Sequence, residues 1–202
     1  MKRLLLVRHG ESEANVIHSL DCAVPGPPLS PLGHEQAQAL VDRLAGLDVR
    51  QIYASTMERA AQTVTPLAQR LGLPIIRRDG LREFDVGDLH PRNDAKAHAA
   101  LDELMISWLI TRDKNAARPD GESAAEVVAR FRSVLVDVVA SYDDGVAVVA
   151  AHGGALRLVG AVLFDEIGPG FTYDNHVPNT GIIDVEVTPE RLICRSWAGI
   201  PL

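Results

Sequence analysis

The chain predicts an α/β fold, a three-layer sandwich in which a mostly parallel open sheet is flanked by helices. Three observations carry this. Leu4 to Val7 and Val146 to Ala151 are continuous apolar runs rather than alternating ones, as strands buried on both faces require. Segments with helical periodicity and their own start signals separate the strand candidates, so strand and helix alternate along the chain. The last apolar stretches, Ile182 to Val187 and Leu192 to Trp197, alternate around Thr188-Pro189-Glu190 and read as a hairpin at the sheet edge.

The elements follow in order. Ser30 and Pro31 form an N-cap and first helical residue, and Leu32, Ala37, Leu40, Val41 and Leu44 supply an apolar stripe. Gln51 to Ala54 is a short strand, after which Ser55 and Glu58 fit a capping box opening a helix that ends before Gly72. Leu73 to Arg77 is a further strand, and Leu81 to Leu89, bracketed by Gly80 and Gly87, has no clean period and is placed in a loop. A helical excursion over about 88–120 follows, with Leu101, Leu104, Met105, Trp108 and Leu109 on one helix face, set to lie over the active site. Ser123 and Glu126 make another capping box, opening a helix with Val127, Phe131, Val134, Leu135 and Val138 inward. The Val146 strand comes next, then a helix from about Ala155 to Leu163.

Composition narrows the class of function. The 202 residues are 47% hydrophobic and 23% charged, which suits one globular domain spanning 1–202 and excludes disorder and coiled coil. A formal charge of −7 without a long basic run argues against a nucleic-acid partner. Cys22 and Cys194 fit neither a C-x-x-C pair nor a zinc spacing, as expected of a reducing cytoplasm. The apolar run after Met1-Lys2-Arg3 stops at Arg8 and His9, short of a signal sequence, and no stretch approaches a membrane span, so no membrane partner is expected.

Three predicted strands deliver polar groups to one sheet edge. Arg8 and His9 follow the first, Ser55 and Arg59 the second, and His152 the Val146 strand. Ligands of open α/β sheets bind beyond the carboxyl ends of the strands, and two arginines with two histidines there make a locally cationic site suited to phosphate. Gly10 and Gly153-Gly154 allow close approach of backbone N–H groups to an anion. Taken singly, His9 and His152 fit core histidines, Ser55 a helix cap, Asn15 a turn residue, and Glu83 a loop carboxylate paired with Arg82. Arg59 in a first helical turn opposes the macrodipole unless an anion sits there. Gly10-Glu11-Ser12-Glu13-Ala14 and Gly121-Glu122-Ser123-Ala124-Ala125 each lack the second glycine of a nucleophile elbow. A metal bound by His9, His152 and Glu83 would have to tolerate the adjacent arginines, and no P-loop is present.

The segment Leu6-Val7-Arg8-His9-Gly10-Glu11-Ser12, with Asn15 following, resembles the R-H-G-[ET] signature of the histidine phosphatase superfamily, the clan of cofactor-dependent phosphoglycerate mutase. Pro28 to Gly33 with Gln36-Ala37, Ala54-Ser55 with Arg59-Ala60 and Thr63, Leu81-Arg82-Glu83, Asp120 to Ser123, His152-Gly153 and Asn179-Thr180 resemble the family's other blocks in the family's order. The resemblance implies a phosphoglycerate mutase-like fold and a phosphomonoesterase acting on a small phosphorylated metabolite. It implies that His9 takes the phosphoryl group, giving a phosphohistidine that water hydrolyses. It gives Arg8, Arg59, His152 and Gly153, with Asn15 in support, the phosphate oxygens, and Glu83 the part of a general acid that starts protonated. No metal ion or other cofactor is implied.

The mutases of the clan carry E-R-H-Y-G after the acid, whereas Glu83 here precedes Phe84-Asp85-Val86-Gly87. Asp85, placed near the site, would repel a doubly anionic substrate. The alternatives are a mutase-type phosphotransferase and a phosphate-ester binding protein without turnover. Arg92, Lys96, Arg112, Lys114 and Arg118 either reach a substrate's acidic group or form a solvent face. The excursion or the edge hairpin offers a homodimer face.

Overall fold

A computed structural model describes residues 1–168 and 170–202. The chain forms β1 (Lys2–Arg8), α1 (Glu13–Val16), α2 (Pro31–Arg43), β2 (Val49–Ser55), α3 (Glu58–Leu71), β3 (Ile75–Arg78), α4 (Ala95–Leu109), α5 (Ala124–Ala140) and β4 (Gly145–Ala151). It continues through α6 (Gly153–Leu163), α7 (Phe171–Asp174), β5 (Ile182–Val187), β6 (Leu192–Trp197) and β7 (Ile200–Pro201). The seven strands make one sheet in the order β3-β2-β4-β1-β5-β6-β7. The first four of that order run parallel, and β5 to β7 add an antiparallel edge. The fold is the α/β sandwich that the sequence predicts.

Burial explains the continuous apolar runs. Leu4 and Leu6 of β1, with Ala147 and Val149 of β4, face the core shared with α5 and α6. Leu5 and Val7, with Val148 and Ala150, face the opposite core shared with α2 and α3. Successive side chains of a strand alternate between faces, so two covered faces remove every polar position. Gly160 serves the first core, since a Cβ there would lie 2.4 Å from the Trp197 ring, which packs directly on α6.

Several boundaries differ from the sequence expectation for local reasons. Ser30 caps α2 through Gly33 N, with Pro31 in the first turn, but Leu32 is exposed rather than part of the buried stripe. The Ser55–Glu58 box does not form. Ser55 still belongs to β2, opposite Arg78, and its Oγ accepts from Met57 N, so Met57 becomes the N-cap of α3 without a side-chain cap. Gly72 closes α3 at φ 67° as expected, and Leu73 N bonds back to Ala68 O, which delays β3 to Ile75. α6 begins at Gly153, two residues early, because His152 itself is its N-cap. The Ser123–Glu126 box opens α5, and the edge hairpin forms as predicted. Among the described residues no helix is long and apolar enough to cross a membrane.

Candidate active site

Strand register sets the site. Arg8 at the end of β1 lies opposite Ala151 at the end of β4, so the next residue on each strand, His9 and His152, emerges side by side. Their ring centroids are 5.1 Å apart. Both rings are buried, and burial, reinforced by nearby guanidiniums, pushes both well below the usual histidine range. His9 is therefore neutral, and its Nδ1–H donates to Gly10 O at 2.6 Å. That tautomer leaves the lone pair on Nε2, which accepts from Arg59 Nε at 3.3 Å.

Arg59 reaches His9 from the first turn of α3, 3% exposed. Its Nη2 donates to Asp21 O, and Nη1 is buried without a partner. Arg8 donates through Nη1 to Val177 O while its Nε is buried and unpaired. Burial lowers both guanidiniums, and the nearby Glu83 charge works against that. Among the described residues neither ring nitrogen of His152 has a partner. Arg8, His9, Arg59, Asn15, Glu83 and Gly153 line one cavity of about 230 Å³; His152, fully buried beside His9, is not itself part of that lining.

A second tier fixes these groups. Thr63 Oγ1 accepts from Gly10 N and donates to Arg59 O, tying the loop after β1 to α3. Asn179 Nδ2 donates to His9 O, and Thr180 N to Arg8 O. Asn15 does two jobs: it completes the capping box of α1 with Ser12, its Oδ1 accepting from Ser12 N, and it lines the cavity. Ser55 is outside the cavity lining and is not the helix cap that the sequence suggests: it ends β2, and its Oγ accepts from Met57 N, the residue that stands at the N-cap.

Glu83 occupies the N-terminus of α6. Its carboxylate accepts from Gly154 N at 2.9 Å, Ala155 N at 2.7 Å and Phe84 N at 3.2 Å. Gly154 has to be glycine for this, since a Cβ would stand 2.4 Å from Phe84 Cε1 and 3.0 Å from Glu83 Oε1. Arg82 pairs with Asp79 and Glu122 and leaves Glu83 alone. The loop that carries Glu83 is held by Arg130 of α5, which donates to the carbonyls of Gly80, Arg82 and Glu83 and pairs with Glu122 at 2.7 Å. Glu122 in turn accepts from Asp85 N. Burial raises the Glu122 carboxyl, but its bonds from Arg130 and Asp85 N outweigh that and lower it. The sequence offered no signal for Arg130 beyond its place eight residues after Glu122 on an amphipathic helix.

Two expectations about the pocket are corrected. Asp85 is absent from the cavity lining; its Oδ1 accepts from Gly87 N and from the thiol of Cys22, which does line the cavity, so its carboxylate stands behind the wall rather than in it. The basic residues of the excursion do not reach the cavity either: Arg92 pairs with Asp94, Arg118 with Asp88, and Arg112 donates to Ala161 O. α4 contributes Leu101 and Met105 to the lining, while Leu104 and Trp108 pack inside, Trp108 edge-on to Phe84 at 4.8 Å. Sequence reasoning missed Ser19 to Cys22, Arg157, His176 and Val177, which line the cavity as well.

This fold and site have relatives. The chain matches the histidine phosphatase superfamily (branch 1) over residues 4–199 and belongs to it. It is 31% identical over 170 residues to a glucosyl-3-phosphoglycerate phosphatase of Mycobacterium tuberculosis, covering 80% of this chain and 75% of that one. It is 34% identical over 163 residues to a 2,3-bisphosphoglycerate-dependent phosphoglycerate mutase of Brucella ovis, covering 77% and 78%. The structure of a mycobacterial glucosyl-3-phosphoglycerate phosphatase complexed with VO3 superposes with TM-score 0.84 at 27% identity, over 98% of this chain and 99% of that one.

Proposed function

We propose that this histidine phosphatase hydrolyses the monoester of a small phosphorylated metabolite through a phosphohistidine on His9, without a metal ion, in a reducing cytoplasm. The observation that carries the reading is a set of buried polar atoms without partners among the described residues, Arg8 Nε, Arg59 Nη1 and both nitrogens of His152, on residues gathered about His9: Arg8 precedes it, Arg59 Nε lies 3.3 Å from its Nε2 and the His152 ring 5.1 Å from its own. Leaving such groups unmet costs about 1–3 kcal/mol each, and the oxygens of one phosphoryl group would meet them together. The phosphatase relatives support hydrolysis, and both cysteines are free thiols, as suits that compartment.

In the first step His9 Nε2 attacks phosphorus as the bond to the alcohol oxygen breaks. Glu83 is the acid of the cavity that would give a proton to that oxygen, and its carboxylate is held by the N–H groups of Gly154 and Ala155. In the second step water attacks the phosphohistidine, Glu83 takes a proton from it, and the P–N bond breaks to return neutral His9. Arg8, Arg59 and His152 face the equatorial oxygens, and the two fixed guanidiniums neutralise the charge of the transferring group.

The test is phosphate release from a panel of phosphomonoesters in chelator, with wild type and His9→Ala. Release in wild type that is lost in the variant is expected. Undiminished release by His9→Ala overturns the mechanism, and phosphoryl interconversion of phosphoglycerates exceeding release would make the protein a mutase.

A further inference from the structure

Thr180 holds a backbone conformation that threonine rarely adopts. Gly181 N donates to Pro178 O at 2.8 Å, closing a tight turn with Asn179 and Thr180 at its centre, and Thr180 has φ 54°. A positive φ at the second central residue suits glycine or asparagine, and a β-branched side chain there is strained. Such strain persists only where the surroundings hold it in place. On one side the turn grips the end of β1. Thr180 N donates to Arg8 O at 3.0 Å and His9 O at 3.3 Å, Asn179 Nδ2 donates to His9 O at 3.0 Å, and Arg8 N donates to Gly181 O at 3.0 Å. Three successive turn residues therefore hold the backbone from which Arg8 and His9 project. On the other side stands Arg43, an exposed residue in the last turn of α2. Its Nη1 donates to Thr180 O at 2.9 Å and to Thr180 Oγ1 at 3.3 Å, while the same hydroxyl donates to Asn179 O at 2.8 Å. Arg43 is not in the lining of the catalytic cavity; it borders a separate cavity of about 460 Å³ together with Pro178, Asn179 and Gly181.

We propose that Arg43 is a positioning residue for phosphoryl transfer: it acts through Thr180, holding the strained turn closed so that the turn fixes the carbonyls of Arg8 and His9. This rests on the phosphatase reading and adds to it a residue outside the substrate cavity. The line along which His9 Nε2 meets phosphorus depends on where the end of β1 stands, and small displacements of a reacting group are expensive in rate. Without Arg43 the turn is free to relax its positive φ, and the donors of Thr180 and Asn179 shift with it. Phosphate binding suffers less. Arg59 comes from α3, and the Arg8 guanidinium keeps its own tether to Val177 O. The loss therefore falls on kcat more than on KM. Glycine at position 180 takes a positive φ without strain, so the turn then needs no clamp. Glycine restores no charge, so a long-range electrostatic role for Arg43 would give the same loss with either residue at 180.

The test is a double-mutant cycle read in steady-state hydrolysis of p-nitrophenyl phosphate by the wild type, Arg43→Met, Thr180→Gly and the double variant. Arg43→Met is expected to lower kcat about tenfold with KM changed less than about threefold. In the Thr180→Gly background the same substitution is expected to cost less than about twofold. Amide hydrogen exchange reports on the turn without catalysis: the Thr180 N–H should exchange about tenfold or more faster in Arg43→Met, while Leu6 N–H within β1 keeps its wild-type rate. Should Arg43→Met not fold, Arg43→Gln, which keeps a donor on a shorter stem, is measured in its place with the same expectations. Unchanged kcat, a loss carried by KM alone, equal losses in both backgrounds, or unchanged exchange at Thr180 overturns the proposal. No release by the wild type would end the phosphatase reading and this role with it, whereas wild-type release that survives Arg43→Met undiminished ends only this role.

Discussion

His9 and His152 do opposite things in the folded and unfolded chain. In the fold, burial and the neighbouring guanidiniums keep both neutral well below 6.5; unfolded, both take up a proton as pH falls through that value. The unfolded state then binds more protons, so stability is full above about 6.5 and falls at lower pH, by up to about 2.7 kcal/mol per pH unit for two such groups. Chemical denaturation of the phosphate-free protein between pH 7 and 5 should show this slope, and His152→Gln should roughly halve it. The catalytic consequence is that the nucleophile keeps its lone pair into mildly acid solution. Gly154 is the other single-residue lever. Gly154→Ala should lower kcat by about tenfold or more, because the methyl displaces Phe84 and the Glu83 carboxylate, with about 1–3 kcal/mol of lost stability from overpacking against Trp108. A variant with unchanged kcat would show that Glu83 need not sit on α6.

At the level of elements, α5 supports the site from outside it. Glu122 and Arg130, each about 15% exposed, clamp the loop that carries Glu83 to the start of that helix. Arg130→Met should cost about 1–3 kcal/mol, since it removes the shorter of Glu122's two ion pairs and frees the loop carbonyls, with only Arg82 at 3.4 Å left on Glu122, and should reduce kcat more than it raises KM, because the phosphate ligands stay on other elements. Glu83 itself was recognisable as a candidate acid only through a resemblance; nothing in Leu81 to Leu89 has a period from which a backbone course follows. The capping boxes show the same division. Ser123 with Glu126 formed because nothing competes for Ser123, whereas Ser55 with Glu58 failed because the ladder to β3 holds Ser55 extended. Ser123→Ala is accordingly expected to cost about 1 kcal/mol in urea denaturation, a loss read as a lower midpoint with an unchanged slope.

At the scale of the whole molecule, the sheet order brings β2, β4 and β1 side by side and parallel, so their carboxyl ends deliver Arg59, His152, Arg8 and His9 to one point. A net charge of −7 coexists with that cationic point because the acids lie elsewhere on the surface or are engaged. Phosphate or orthovanadate should therefore stabilise the whole fold by mass action, about 2.7 kcal/mol at a hundredfold excess over Kd, or roughly 5–10 °C in Tm. Thermal melts with and without vanadate check this, and in Arg59→Met the shift should largely disappear.

The sequence by itself determined which segments are strands buried on both faces, that they alternate with helices, and that His9, Arg8, Arg59 and His152 stand just past their ends. Each of these depends on local period and chain order, which neighbouring residues specify. What only the tertiary structure decided is what those groups meet: that Arg130 supports the loop of Glu83, that Asp85 stands outside the cavity lining, that the excursion's arginines do too, and that Arg157 is part of it. These pairings join residues far apart in sequence, such as Gly80 with Arg130 and Glu83 with Ala155, and their geometry follows from packing two layers of helices on one twisted sheet.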